Sequence, residues 1–146
     1  MITIDFTDKE YRRLLDLVYV GNWIINSTRS NNDRFEDYDL IQEKIFYQCL
    51  KNSKFSILAE KYQGSCYPSR AYEDGGIHEV IAQYEDCVFF EILAEELSRR
   101  DLMRDGASPE ELDEIPDELC DRIDEYLAEF EQNGLDNVNV DMPNEG

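Results

Sequence analysis

The sequence predicts an all-α fold: one domain, residues 1–146, folded as a bundle of about five helices, with a two-strand clasp joining the N- and C-termini. Three observations carry this expectation. Apolar residues recur at three- and four-residue steps over several long stretches, the period of a helix with a buried face. Some of these stretches open on capping signatures. The chain has 146 residues, 42% of them hydrophobic, enough to bury a core without disulfides or metal.

In order along the chain, Ile2-Thr3-Ile4-Asp5-Phe6 alternates apolar and polar, as does Val138-Asn139-Val140-Asp141-Met142. Both have the two-residue period of a half-buried strand, and pairing with each other would form the clasp. Thr7-Asp8-Lys9-Glu10 is a capping box, and a first helix is expected from about Asp8 to Ser27. Its apolar residues Tyr11, Leu14, Leu15, Leu17, Val18, Val20, Trp23, Ile24 and Ile25 cover most of the circumference, which predicts a central, buried helix. Gly21 interrupts it at a cost of about 1 kcal/mol against Ala, which close approach of another helix would explain.

The cluster Ser30-Asn31-Asn32-Asp33 predicts a turn. A second helix follows, from about Phe35 to Leu50, and a short third from Phe55 to Tyr62. Residues 64–69 are expected as a loop. The fourth helix has the clearest period, from about Ile77 to Met103, with Glu95–Arg99 and Glu96–Arg100 as favourable i,i+4 pairs. Gly106 ends it. Ser108-Pro109-Glu110-Glu111 supplies a cap, a first-turn proline and a capping-box acid. Pro116 restarts the helix, and the last helix is expected from about Pro116 to Gln132.

The net charge of −20 is placed unevenly. Residues 1–70 hold ten Lys/Arg and ten Asp/Glu and are balanced, so residues 71–146 carry the whole excess. Such a surface repels phosphates and anionic lipid and attracts basic proteins. Binding nucleic acid by neutralising its backbone would need clustered Lys and Arg. No stretch approaches the length of a membrane span, and the N-terminus has no basic region followed by an apolar run. The cysteines Cys49, Cys66, Cys87 and Cys120 are widely spaced, which reads as buried, reduced thiols in a cytoplasmic protein.

Signatures of chemistry are sparse. The single histidine, His78, is too few for a ferritin-like di-iron site, and the cysteines lack zinc spacing. The alternation from Asn137 to Asp141 imitates a calcium loop, but Met142 stands where Gly is required. Neither a metal nor a cofactor is expected. Nor is any catalytic residue assigned. A Cys66–His78 dyad and an anion cradle of Arg70, Gly75, Gly76 and His78 are each outweighed by a structural role for the same residues. Trp23 reads as core. Arg99, Arg100 and Arg104 read as helix-end charges that complement the dipole and pair with nearby acids.

The segment EELDEIPDELCDRIDEYLAEFE, residues 110–131, holds 11 acids and one base, Arg122. Leu112, Ile115, Leu119, Ile123, Tyr126, Leu127 and Phe130 form its apolar stripe, with acids on the remaining circumference. Six like-charge pairs at i,i+4 each cost a few tenths of a kcal/mol. The leading expectation is a non-enzymatic module that presents Glu114, Asp117, Glu118, Asp121, Asp124, Glu125 and Glu129 to a basic protein surface. An immunity- or antitoxin-like inhibitor of a nucleic-acid-binding partner is one version. Two other readings are an accessory protein whose acidity serves solubility only, and an enzyme using carboxylates with a divalent metal.

Overall fold

In the computed structural model, which describes residues 1–143, the capping box at Thr7 opens helix α1, Asp8–Asn26. The Thr7 amide donates to Glu10 Oε2 at 2.8 Å, and the Glu10 amide donates back to the Thr7 hydroxyl at 3.3 Å. Helix α2 covers Glu36–Tyr47 and tightens into a 3-10 turn, Gln48–Lys51. A hairpin follows, with β1 at Ala59–Tyr62 and β2 at Ser65–Pro68. Helix α3, Arg70–Tyr72, is followed by a kinked turn, Glu73–Ile77, in which Gly76 leaves the helical region at φ +105°, and then by the long α4, His78–Arg104. The short α5, Pro109–Asp113, and the final α6, Asp117–Asn133, complete the order. The chain divides into two compact units, Met1–Ala82 and Gln83–Gly146.

In the first unit, Leu15, Tyr19, Phe46, Cys49, Tyr72, Ile77 and Ile81 belong to one core. Tyr72 is at its centre, edge-on to Phe46 and Tyr19 with ring centroids 5.0 and 5.2 Å away. Its hydroxyl donates to Asp16 Oδ1 at 2.9 Å, so the one polar atom of this buried ring is satisfied. In the second unit, Leu102 of α4 packs with Leu112 and Leu119. Phe90 meets Phe130 at 5.5 Å, and the Tyr126 hydroxyl donates to Asp101. These contacts pair early residues of one helix with late residues of the other, so α4 and α6 run antiparallel within this unit.

Gly106 has φ +110°, a value that side-chain-bearing residues resist, and it closes α4. The Ala107 amide reaches back to the Leu102 carbonyl at 3.0 Å, and the Gly106 amide to Met103 at 3.2 Å. This is the double cap that satisfies a helix's orphan carbonyls. The capping box at Ser108 then opens α5, with the Ser108 amide donating to Glu111 Oε2 at 2.8 Å.

Several expectations are corrected. The terminal clasp does not form. Residues 1–6 and 138–142 carry no strand, and Ile2 is 88% exposed. The antiparallel pair lies in mid-chain instead, with Ala59 opposite Pro68 and Tyr62 opposite Ser65. Gln63 and Gly64 both take positive φ, +50° and +89°, the backbone of a two-residue hairpin turn whose twist matches the strands. Two strands joined by such a turn pay far less closure entropy than two at opposite ends of the chain. The helix expected over Phe55–Tyr62 shrinks to one 3-10 turn, Ser56–Leu58, and the expected loop 64–69 contains β2.

Helix α1 is not buried all round. Its buried residues are Leu15, Tyr19, Asn22 and Asn26, a single stripe, while Leu17 is 72% exposed and Ile24 and Trp23 also face solvent. A Cβ built on Gly21 would meet nothing within 4 Å, so no close helix contact accounts for that glycine. Cys49 and Cys66 are buried, but Cys87 and Cys120 are exposed. Arg99 pairs with Glu95 as expected, at 2.9 Å, whereas Arg100 turns to Asp101 at 2.8 Å rather than to Glu96. Ile115 leaves the apolar stripe: it is 60% exposed with φ +51°, at the break between α5 and α6.

Candidate functional site

The acidic segment is built from α5, the break that follows it and α6. At about 100° per residue, Asp117, Glu118, Asp121, Asp124 and Glu125 share an arc of about 120°. It lies opposite Leu119, Tyr126 and Phe130, and all five acids are exposed. The apolar stripe docks on α4 within this unit, which forces the acids outward. Asp117 and Glu118 lie in the first turn, where the helix dipole favours negative charge. The nearest internal compensation is Arg122, whose Nε is 3.7 Å from Glu125 Oε2. Among the described residues this is the only ion pair that reaches any of the seven acids singled out from the sequence.

The other two of the seven are placed differently. Glu114 caps the end of α5 and is not on α6. Glu129 accepts hydrogen bonds from Asn137 and, at 3.0 Å, from Asn133. Those bonds hold its carboxyl below the usual carboxylate range and tie the chain after Gly134 back to the helix. The break at Glu114–Pro116 also takes Asp113–Asp117 and Glu114–Glu118 out of helical spacing. Of the six repulsive pairs, Asp117–Asp121, Asp121–Glu125 and Glu125–Glu129 remain on α6, and Glu110–Glu114 spans the short α5. The net charge is divided as unevenly as the sequence indicates. Residues 1–82 hold ten bases and 13 acids, a balance of −3, and residues 83–146 hold four bases and 21 acids, a balance of −17.

A second polar region, in the first unit, escaped the sequence reading. Asn22 and Asn26 occupy the buried stripe of α1 where apolar residues would continue it. Asn26, 1% exposed, donates to Asn22 Oδ1 at 2.8 Å and to the Phe35 carbonyl at 3.2 Å, and it accepts from the Phe35 amide at 2.9 Å. Asn22 donates to Asp39 Oδ1 at 2.9 Å. Arg34 forks onto the same carboxylate, Nε to Oδ2 at 2.9 Å and Nη2 to Oδ1 at 2.7 Å. The Arg34 hydrogen bonds hold the Asp39 carboxyl below its ordinary range. The available signal was the i,i+4 spacing of two asparagines on an otherwise apolar face.

The residues considered for chemistry go to separate partners. His78 Nε2 is 2.7 Å from the Tyr19 hydroxyl, and Trp23 stands edge-on to the imidazole at 5.0 Å. Burial pushes the Tyr19 phenol up to about 12. Cys66 lies in β2 with its amide donating to Glu43 Oε1 at 3.0 Å, and burial raises its thiol. Arg70 pairs with Asp74 at 3.3 Å rather than facing an anion cradle. Among the described residues, no three His, Cys, Asp or Glu side chains converge as a metal site requires. None of the described helices is long and apolar enough to cross a membrane. No protein-family model, curated protein or solved structure matches this chain.

Proposed function

We propose that the chain is a non-enzymatic binding module whose α6 docks on a basic protein surface, in the manner of an immunity or antitoxin protein covering a nucleic-acid-binding site. The supporting observation is the exposed arc of Asp117, Glu118, Asp121, Asp124 and Glu125, compensated among the described residues only by Arg122 at 3.7 Å. Solubility alone is served by mixed-sign surfaces as well, and these avoid the like-charge pairs kept on α6. An arc of one sign accelerates encounter with a positive partner and penalises wrong ones. No observation favours the carboxylate-enzyme reading over this one.

The test is a set of pull-downs at low and high salt with the parent chain and with a variant carrying Asp117→Asn, Asp121→Asn, Asp124→Asn and Glu125→Gln. The expected result is a basic protein held by the parent, released steeply with salt and lost from the variant. Recovery of the same proteins by both chains refutes the proposal.

A further inference from the structure

We infer that the first unit carries a binding cleft for a small linear polyamine, on α2 and away from the acidic arc of α6. The cleft has a volume of about 600 Å³, within the range of small-ligand sites. Three parts of one unit line it: Asn22 of α1, Arg34 with the α2 face, and Ser65 to Tyr67 on β2.

Its charges are not equivalent. Arg34 is consumed by Asp39 through two hydrogen bonds. Asp39 is fixed further by Asn22, which is itself held by the buried Asn26. This network orients the side chains of one wall of the cleft. Among the described residues, it leaves Glu36 and Glu43 as the lining carboxylates without a cationic partner. Glu43 is oriented because one oxygen accepts from the Cys66 amide, which leaves the other oxygen free. Glu36 is exposed at the rim.

Glu36, Leu40 and Glu43 fall at i, i+4 and i+7, one face of α2. Their backbone positions are therefore about 10 Å apart along the helix axis. Between them lies Leu40, 62% exposed although it lines the cleft. The order is anion, apolar, anion. A chain with ammonium groups at its ends and methylenes between them matches that order. Tyr67, half-exposed, also lines the cleft, and an aromatic ring there suits a cationic ligand. A phosphate or carboxylate ligand would meet two uncompensated anions and no free base in the lining.

The proposal is independent of the α6 reading, and the experiment separates the two. Amide chemical shifts of the full chain are followed at physiological salt while spermidine is added. The expected shifts centre on residues 36–43 and 65–67. The uncharged chain 1,8-octanediol should produce none, and Mg²⁺ at the same concentration should not displace spermidine. Glu43→Gln keeps an acceptor for the Cys66 amide, so the fold is retained, and Glu36→Gln removes a rim carboxylate that makes no internal bond. Each should weaken spermidine binding about fivefold to tenfold. Asp121→Asn with Asp124→Asn should leave it unchanged. Shifts centred on α6, equal competition by Mg²⁺, or unchanged affinity in both glutamate variants overturns the site. Binding of a capped Gly-Arg-Gly peptide tenfold tighter than spermidine would overturn the small-molecule assignment and give the cleft to a partner's side chain.

Discussion

Gly21→Ala is expected to stabilise the protein. Glycine in a helix interior is about 0.8–1.0 kcal/mol worse than alanine, because the unfolded chain loses more freedom when it folds. That penalty is tolerated where another backbone needs the space. Here the added methyl group meets nothing within 4 Å, and Gly21 is not among the glycines with positive φ. Neither strain nor a packing gain alters the balance, so the net gain is about 1 kcal/mol. With a urea m-value of about 1–3 kcal/mol/M, the unfolding midpoint should rise by about 0.3–1 M. Trp23, the single tryptophan, lies two residues along α1 and provides the fluorescence signal from this unit. Gly106→Ala is the control. Its φ of +110° forces strain on any side chain, so the same chemical change should cost about 1 kcal/mol, read by circular dichroism. A midpoint that falls in Gly21→Ala would mean that something approaches α1 there, and the account of its exposed face would be refuted.

Other substitutions test the remaining parts. Asn26→Ala removes the partners of the Phe35 amide and of the Asn22 carbonyl oxygen, and should cost about 2–3 kcal/mol in denaturant unfolding. Asp121→Asn relieves two like-charge pairs on α6 and should gain about 0.5 kcal/mol at low ionic strength, a gain lost in 1 M salt. Asp39 has a folded pKa below its unfolded value, with Arg34 as the main cause. Its contribution is therefore complete above about pH 4 and is lost as pH falls through the folded value. Asp39→Asn should be less stable than the parent at pH 7, and the gap should narrow on acid titration followed by fluorescence. Ile115→Gly releases a β-branched residue from φ +51° and should raise the melting temperature; a fall would show that the side chain contributes packing despite its exposure.

The local features written in consecutive residues were legible. Both capping boxes, the start of α1, the span of α4 and the Gly106 stop follow from side chains three or four positions apart, and no tertiary partner is needed to set them. The outward placement of the α6 acids was legible for the same reason, since the stripe of Leu119, Ile123, Tyr126, Leu127 and Phe130 leaves them no other side. The hairpin was not legible. Phe55, Leu58, Ala59 and Tyr62 fit a helical step, a run this short does not separate the two periods, and Gly64 read only as the start of a loop. The Ile115 break could be suspected from Pro116 alone.

The sequence by itself determined a mostly helical chain, the approximate ends of α1, α2, α4 and α6, and the gathering of charge in its second half, because each of these depends on neighbours along one helix or on composition. Tertiary structure decided which face of α1 is buried, that Asn22 and Asn26 lie inside and bond to the partly exposed Asp39 and the Phe35 backbone, and that the strands pair in mid-chain rather than at the termini. Those outcomes depend on contacts between residues far apart in sequence. Periodicity shows that a face is apolar, but only the packed partners show whether that face is covered and which buried polar groups find hydrogen bonds.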